Sequence, residues 1–434
     1  MNLGVDKDRT SVIFNDTIGK RPQKKDAGSC ENNAIYIANR DIFDMLKIPR
    51  KKIDEITKML GKPYKVMLSS GYTSRGPDLA EADFAKIARD INTHFSHIQN
   101  HNKGMIVLTG PDKLGYLTHA LMSLLPSPAA PIVITAPTLF GESNLPIKNI
   151  RKNIFANLRN SCLLLHKLEK DKRHNVLAVM GDHAYDIKIP KSDVNLPEYQ
   201  SKSFYTDPAY ELLYTSPESD VIHDSGDSDK LEWVRTGHCQ SKNTVPRPKN
   251  FQQYFDMITR KMQEPDGLRM AILLDFGAND IKKRIETVLT YNDVIGLRGT
   301  GDGNFSFKRT IPTLENVLLQ GGKTFVRGSQ DHGGELTDGK TSLKSYKIFG
   351  NHNLADFMVP QGAFNTSRTC RLVGMINAAG LKAPTRGVEE KFEKYIERYK
   401  DYINKVSKSI RSQEPLLTAI SYIEEEKKQK EAGQ

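Results

Sequence analysis

Hydroxyl, carboxylate and ammonium side chains follow several of the short apolar runs in this sequence. Thr17 and Asp112 each lie just after such a run, and Lys191 lies downstream of another. A threonine hydroxyl becomes a nucleophile when a base removes its proton, and a lysine paired with a carboxylate can take part in that transfer. Each residue alone also has a structural explanation, as a turn residue, a helix cap or a surface charge. Their chemistry therefore depends on whether the fold brings them together.

Two further segments carry groups that could bind a ligand. Residues 299–304 (GTGDGN) follow a predicted strand, and Gly-x-Gly turns let backbone N–H groups approach an anion. This segment lacks the full dinucleotide fingerprint and the P-loop lysine, so a tight turn is the alternative. His183 has no second ligand at metal-binding spacing, and the four cysteines form no C-x-x-C pair. We therefore expect no metal, no cofactor and no disulfide framework.

The elements that must position these residues alternate between strand and helix. Hydrophobic periodicity predicts strands at 11–14, 65–69, 105–108, 131–136 and 176–180, and helices at 53–60, 80–99, 113–125 and 149–165. This βα alternation predicts an α/β fold with a doubly wound, mainly parallel sheet. In such a sheet, ligands bind at the carboxyl ends of the strands.

The alternation stops and then resumes, which suggests four regions. We predict a large N-terminal α/β domain over 1–191, a connection with inserted or irregular structure over 192–265, and a smaller C-terminal α/β domain over 266–380. Residues 381–434 form a predicted helical extension. In that extension, Phe392, Tyr395, Ile396 and Tyr399 give one apolar stripe, which predicts packing against the body, with a partner-binding face as the alternative.

Composition limits the classes of partner. The 434-residue chain carries a net charge of +11, which could attract nucleic acid. However, its basic residues are dispersed, so a solvated surface is the preferred interpretation. No apolar run reaches 18 residues and no secretory leader is recognisable, so we expect a cytoplasmic protein without a membrane partner. The Glu-rich segment Tyr422–Glu426 suggests either a secretion signal or an exposed charged helix end.

The order of these segments resembles that of the L-asparaginase family, which includes the asparaginase-like subunit of the tRNA-dependent glutamyl amidotransferase. The resemblance covers roughly residues 10–380. Residues 15–18 (NDTI) are similar to the family's T-G-G-T-I turn, with Thr17 at the nucleophile position and Asp16 in place of a glycine near the ligand. Residues 108–114 (LTGPDKL) are similar to T-H-G-T-D-T-M. Asp112 is kept there, and the second catalytic threonine falls on Pro111.

The substrate-binding loop and the lysine also have counterparts. Residues 75–79 (RGPDL) resemble D-S-x-D-M, so the serine that holds the substrate carboxylate falls on Gly76, beside Pro77 and Asp78. Residues 177–182 (LAVMGD) resemble V-V-M-N-D, which places the relay lysine at Lys191, with Lys188 as the alternative. For the family's mobile-loop tyrosine, Tyr36 is the nearby candidate.

The smaller domain has its own counterpart. Residues 299–304 resemble the family's G-x-G-x-G-N, whose asparagine, here Asn304, reaches the active site of a neighbouring subunit. The resemblance therefore implies a homo-oligomer, a dimer or a dimer of dimers.

The resemblance implies hydrolysis of the side-chain amide of Asn, Gln or a related small molecule through an acyl-enzyme, with release of ammonia. Pro111 has no hydroxyl and no N–H, and Gly76 has no side chain to hold a carboxylate. Three alternatives stay open. The chain is a divergent amidohydrolase that uses Thr17, Asp112 and Lys191, or a catalytically inactive binding or interaction protein. The third alternative, suggested by the net charge and by Gly115-Tyr116, is a subunit of an RNA-associated amidotransferase.

Overall fold

A computed structural model defines most of the helices and strands of the chain. It describes residues 33–38, 64–69, 78–97, 103–126, 128–136, 147–170, 174–180, 183–185, 208–211, 247–274, 280–299, 305, 308–329, 347–361, 366–412 and 414–432. The strand expected at 11–14 and the helix expected at 53–60 lie outside the described residues.

In the described part of the first half of the chain, seven strands form a large sheet. They are β1 (Asn33–Ile37), β2 (Tyr64–Leu68), β3 (Met105–Leu108), β4 (Ile132–Thr135), β5 (Val176–Met180), β6 (His183–Tyr185) and β7 (Pro208–Glu211). Their order is β2-β1-β3-β4-β5-β6-β7. The first five are parallel, and β6 and β7 join as an antiparallel edge. A mainly parallel sheet was predicted, and the structure confirms it.

Three of the described helices cover the two faces of the large sheet. They are α1 (Glu81–His97), α2 (Pro111–Leu124) and α3 (Ile147–Lys170). Helices α1 and α2 share one buried cluster with alternate strand residues such as Tyr36 and Val107, whereas α3 packs on the opposite face. Because both faces are buried, the central strands are continuously apolar, as is usual in parallel sheets.

The second half of the chain contains a smaller parallel sheet. Helix α4 (Phe251–Gln263) precedes it. The strands of this sheet are β8 (Met270–Leu274), β9 (Val294–Gly299), β10 (Thr324–Ser329) and β13 (Met358–Pro360). Their order in the sheet is β13-β10-β9-β8. Between them lie α5 (Ile281–Tyr291), α6 (Thr310–Gln320) and a two-stranded ladder of β11 (Lys347–Ile348) and β12 (His352–Asn353), and α7 (Thr366–Ala379) follows. The region predicted as a connection thus contributes strand β7 to the large sheet and helix α4 to the packing between the two halves.

Helix α7 lies so close to the small sheet that glycine is required beneath it. A Cβ added at Gly328 would collide with the Thr366 hydroxyl and would come within 2.9 Å of the Gln361 side chain. At Gly296, an added Cβ would lie 2.8 Å from the sulfur of Cys370. The close approach therefore depends on the missing side chains of two strand glycines.

Two C-terminal helices complete the body of the protein. Helix α8 (Phe392–Arg411) buries three tyrosines, and each hydroxyl bonds to the smaller half of the molecule. Tyr395 donates to the Leu318 carbonyl, Tyr399 donates to the Lys323 carbonyl, and Tyr402 bonds to Thr324 and Asn377. The apolar stripe of the predicted extension thus packs against the body, which agrees with the preferred interpretation.

The last helix, α9 (Pro415–Ala432), also packs back onto the chain. Glu424 accepts a hydrogen bond from Tyr254 on α4, and Lys405 on α8 pairs with Glu426 at 2.9 Å. Two glutamates of the Glu-rich segment therefore have intramolecular partners. In the described part of the chain, no helix has the length and apolar character needed to cross a membrane.

Candidate functional site

The parallel strands of the large sheet end in a row of small and hydroxyl-bearing residues. Backbone hydrogen bonds of 2.9–3.0 Å extend the ladder one residue past each strand, at the N–H groups of Ser69, Ala38 and Thr109. The registers of β2, β1, β3 and β4 place Ser69, Ala38, Thr109 and Ala136 side by side across the sheet. Because the strands are parallel, this row lies at their common carboxyl edge, where ligands bind in doubly wound folds.

The side chains of this edge row point toward the face covered by α1 and α2. Ala38 and Ala136 belong to the core cluster that includes those helices, and residues in register share a face. Neighbouring strands are about 4.8 Å apart, so Ser69 and Thr109 flank Ala38 with their backbones about 10 Å from each other. The side chain of Ala38 is small and apolar. The hydroxyls of Ser69 and Thr109, on either side of it, are therefore the polar side-chain groups of this part of the edge row.

Thr109 is an exception among the buried hydroxyls because its Oγ1 atom has no hydrogen-bond partner among the described residues. The residue is fully buried. By contrast, Thr135 and Thr118 donate to the carbonyls of Val179 and Leu114 at 2.9 and 2.7 Å. Buried polar groups are nearly always satisfied in folded proteins. An unsatisfied hydroxyl at this edge is therefore available to a ligand.

The start of α2 adds backbone donors beside Thr109. Gly110 is the N-cap, with extended dihedral angles (φ −73°, ψ 153°) and no side-chain cap. Pro111 lies in the first turn, where its missing N–H is tolerated. The next free N–H groups of a helix start attract negative charge. The carboxyl end of β3 is thus a suitable place for a carbonyl or carboxylate oxygen.

A chain of hydrogen bonds connects Ser69 to a carboxylate on α1. The hydroxyl of Tyr36, fully buried on β1, donates to Oδ2 of Asp90 at 2.7 Å. Ser69 is a further hydrogen-bond donor to the Tyr36 oxygen. Burial, and then the charge of Asp90, raise the pKa of Tyr36 far above its ordinary value, so the phenol remains protonated. Tyr36 therefore lies within β1 and its hydroxyl is engaged in the core, which is inconsistent with a mobile-loop role.

The structure locates some of the residues that the sequence analysis selected. Pro111 and Asp112 lie in the first turn of α2, next to Thr109, and Asp78 is exposed in the turn before α1. The other candidates lie outside the described residues, namely Asp16, Thr17, Gly76, Pro77, Lys188, Lys191 and Asn304. The predicted convergence of Thr17, Asp112 and Lys191 stays a prediction.

An ion pair joins α1 and α7 close to this edge. Arg371 Nε donates to Oε1 of Glu81 at 2.7 Å, with the arginine side chain only 6% exposed. Its guanidinium carbon lies 5.5 Å from the ring centroid of Phe84 and 5.2 Å from that of Tyr116, near the start of α2. Burial, and then the nearby arginines, lower the pKa of His119 well below its ordinary value. The smaller half of the chain thus places positive charge beside the first turns of α1 and α2.

The sequence analysis did not select Ser69, Thr109, Asp90 or Arg371. For the two hydroxyls a signal was available, because each directly follows an apolar strand. No sequence signal was available for Asp90 and Arg371, since their contacts span 54 and 290 residues of chain. Within the described ranges, no group of three or more His, Cys, Asp or Glu side chains could hold a metal ion.

Comparison with known proteins agrees with this architecture. No curated protein matches the chain. Residues 35–191 match the model of the asparaginase N-terminal domain. This segment starts within β1, includes the edge row and contains helices α1 to α3. Thr17 precedes the matched segment, whereas Asp112 and Lys191 lie inside it. Over residues 35–191, the chain is therefore similar to the N-terminal domain of asparaginases.

Proposed function

We propose that the chain hydrolyses a side-chain amide of Asn, Gln or a related compound and releases ammonia at the carboxyl edge of the large sheet. The observation that carries the proposal is the buried hydroxyl of Thr109, which has no hydrogen-bond partner among the described residues and lies beside the start of α2. The match of residues 35–191 to the asparaginase N-terminal domain supports the reaction class.

The proposed reaction needs a nucleophile, a polarised carbonyl and a route for protons. A hydroxyl attacks the amide carbon, ammonia leaves, and water then releases the acid from the acyl-enzyme. Thr109 and the first free N–H groups of α2 are the donors for the oxygen on which charge develops. Asp112, in the same turn, is the candidate carboxylate. The roles of Thr17 as nucleophile and Lys191 as relay are predictions of the family resemblance.

Ammonia release tests the proposal directly. Asn, Gln and short peptides containing them are incubated with the wild-type protein and with Thr109→Val, and a coupled assay measures ammonia. We expect Thr109→Val to lower kcat/KM by about 100-fold, as for the loss of one oxyanion donor. Thr118→Val is the matched control, because this buried α2 threonine already bonds to the Leu114 carbonyl. Absence of ammonia with every substrate would refute hydrolysis.

One observation favours a second function, ligand binding without turnover. Pro111 occupies the first turn of α2, at the position where the family resemblance places a catalytic hydroxyl, and proline cannot relay a proton. A protein of this kind would be stabilised by a bound amide or carboxylate. An increase in Tm with Asn, Gln or Asp, without ammonia release and lost in Thr109→Val, would support this alternative.

A further inference from the structure

We propose that strand β8 of the small sheet is a self-association surface and that it pairs antiparallel with β8 of a second copy of this chain. This pairing goes beyond the proposed amide hydrolysis, because it involves the small sheet and not the edge row of the large one. Three features of β8 support it, namely its open edge, its exposed apolar side chains and the opposite charges at its two ends.

The two edges of the small sheet differ in how they are protected. Strand β13 forms one edge, is three residues long, ends in Pro360 and packs against α8. Strand β8 forms the other edge, and among the described residues its only strand partner is β9. All five residues of β8 keep a regular register with β9, and none of them is charged or a proline. Because exposed edges are usually protected by charges, prolines, bulges or a covering element, β8 has the form of an edge that another strand completes.

Apolar side chains are exposed along this edge. Ile272 and Leu274 are 41% and 39% exposed. Both lie on the sheet face that α7 covers, since Ile272 pairs with Gly296, which lies beneath that helix. Tyr291 at the end of α5 is 72% exposed, and its carbonyl accepts a hydrogen bond of 3.1 Å from Arg269 Nε at the start of β8. Exposed apolar and aromatic side chains beside an open strand edge are typical of a protein interface.

The sequence of β8 and of the residues that flank it favours a second copy as the partner. Residues 269–275 (RMAILLD) carry Arg269 at one end, Asp275 at the other and only apolar residues between them. In an antiparallel pair centred on Ile272, Arg269 lies opposite Asp275 of the partner subunit, and apolar residues lie opposite each other along the rest of the strand. Opposite charges across two strands stabilise the pair, and like charges destabilise it. Parallel pairing in register would place Arg269 opposite its own copy, so the charges select the antiparallel arrangement.

An antiparallel pair of identical strands has two-fold symmetry, which is the commonest symmetry of protein dimers. The two small sheets then join into one continuous sheet. At the symmetry axis, Ile272 of one subunit faces Ile272 of the other, with Cβ atoms about 4.5–5.5 Å apart. The two copies of Leu274 lie about 14 Å apart along the strands, because each is two residues from the axis, on opposite sides, and each residue rises about 3.4 Å. The pairing therefore predicts a short distance at one exposed position and a long distance at the next.

Oxidative cross-linking tests these two distances. Ile272→Cys and Leu274→Cys are each made with Cys30 and Cys239 replaced by serine, because the other two cysteines are buried. Copper phenanthroline should convert Ile272→Cys into a disulfide-linked dimer on a non-reducing gel, because the Cα atoms of a disulfide lie within about 7 Å. Leu274→Cys is the matched control, with nearly the same exposure, and should remain monomeric on the gel. Equal cross-linking of the two variants, or no cross-linking of Ile272→Cys, would overturn the pairing.

Sedimentation measures assembly without a cross-link. The wild-type protein should sediment as a dimer, whereas Ile272→Lys, which places like charges on the symmetry axis, should sediment as a monomer. Val388→Lys is the control, because Val388 is fully exposed and lies outside β8, and this variant should remain a dimer. Circular dichroism checks that both variants are folded. A monomeric wild-type protein, or a dimeric Ile272→Lys, would overturn this inference, while amide hydrolysis is judged separately by ammonia release.

A charge swap tests the antiparallel register. Asp275→Lys places a lysine opposite Arg269 of the partner subunit at both ends of the pair, and we expect it to raise the dimer Kd by about tenfold. Adding Arg269→Glu to Asp275→Lys exchanges the two charges and should return the Kd close to the wild-type value. A Kd for the double variant as high as that of Asp275→Lys would contradict this register.

Discussion

Replacing Arg371 by methionine removes the ion pair between α1 and α7. The arginine side chain is 6% exposed and its partner Glu81 is 24% exposed, with the two joined at 2.7 Å. Removing one partner of a buried pair costs about 3–5 kcal/mol, because the other charge stays buried. Since Glu81 keeps some contact with water, we expect about 3 kcal/mol, the lower end of that range. Loss of the guanidinium above Phe84 and Tyr116 adds to this, while methionine preserves part of the packing.

Urea unfolding followed by circular dichroism measures the change. The control is Arg284→Met, whose wild-type pair with Asp280 has the same Nε–oxygen contact, 2.8 Å, but both side chains are more than half exposed. We expect no measurable change in the control, as is usual for exposed pairs. The double variant Arg371→Met with Glu81→Met should recover stability relative to Arg371→Met, because the orphaned carboxylate is gone. If the urea midpoint of Arg371→Met equals that of Arg284→Met, the reasoning is refuted.

Three other predictions concern stability. Gly328→Ala should destabilise the small sheet by about 1–3 kcal/mol through overpacking against α7. The control Gly387→Ala should be nearly neutral in the same urea assay, because its added Cβ would make only ordinary contacts. Thr109→Val should leave the urea midpoint unchanged or raised, because no hydrogen bond is lost, while Thr135→Val should cost about 1 kcal/mol. His119 is neutral in the fold because its pKa is lowered, so the unfolded chain binds the extra proton. Below about pH 6.5, stability should therefore fall by up to about 1.4 kcal/mol per pH unit, and His119→Met should flatten that slope between pH 5 and 7. An equal slope in the variant would contradict the assignment.

The fold was largely predictable because it depends on local periodicity. Strands β3 and β5 have the predicted bounds, and helix α1 differs from its predicted bounds by at most two residues. Among the described elements that were not predicted, strand β1 and helix α4 show why. Strand β1 (NAIYI) is a short apolar run, and a run of that length does not show by itself which sheet it joins. Helix α4 was hidden by its polar neighbours, although Phe251, Tyr254, Phe255, Ile258 and Met262 follow a helical period.

The site was less predictable because it depends on register and on long-range contacts. The sequence analysis expected chemistry at the strand ends, and it searched there for the family's residue types at the family's spacing. The edge row becomes visible only when β2, β1 and β3 are aligned residue by residue. The Tyr36–Asp90 bond likewise joins residues 54 positions apart, which periodicity cannot reveal.

Stability and function should respond in opposite ways at Thr109, and this separates a binding residue from a packing residue. A buried hydroxyl without a partner lowers the stability of the free protein, because its desolvation is not repaid by a hydrogen bond. Replacing Tyr36 by phenylalanine should lower stability, because its hydroxyl is satisfied by Asp90. Thr109→Val should lose turnover alone. The contrast between these two substitutions therefore distinguishes a hydroxyl kept for a ligand from one that holds the core together.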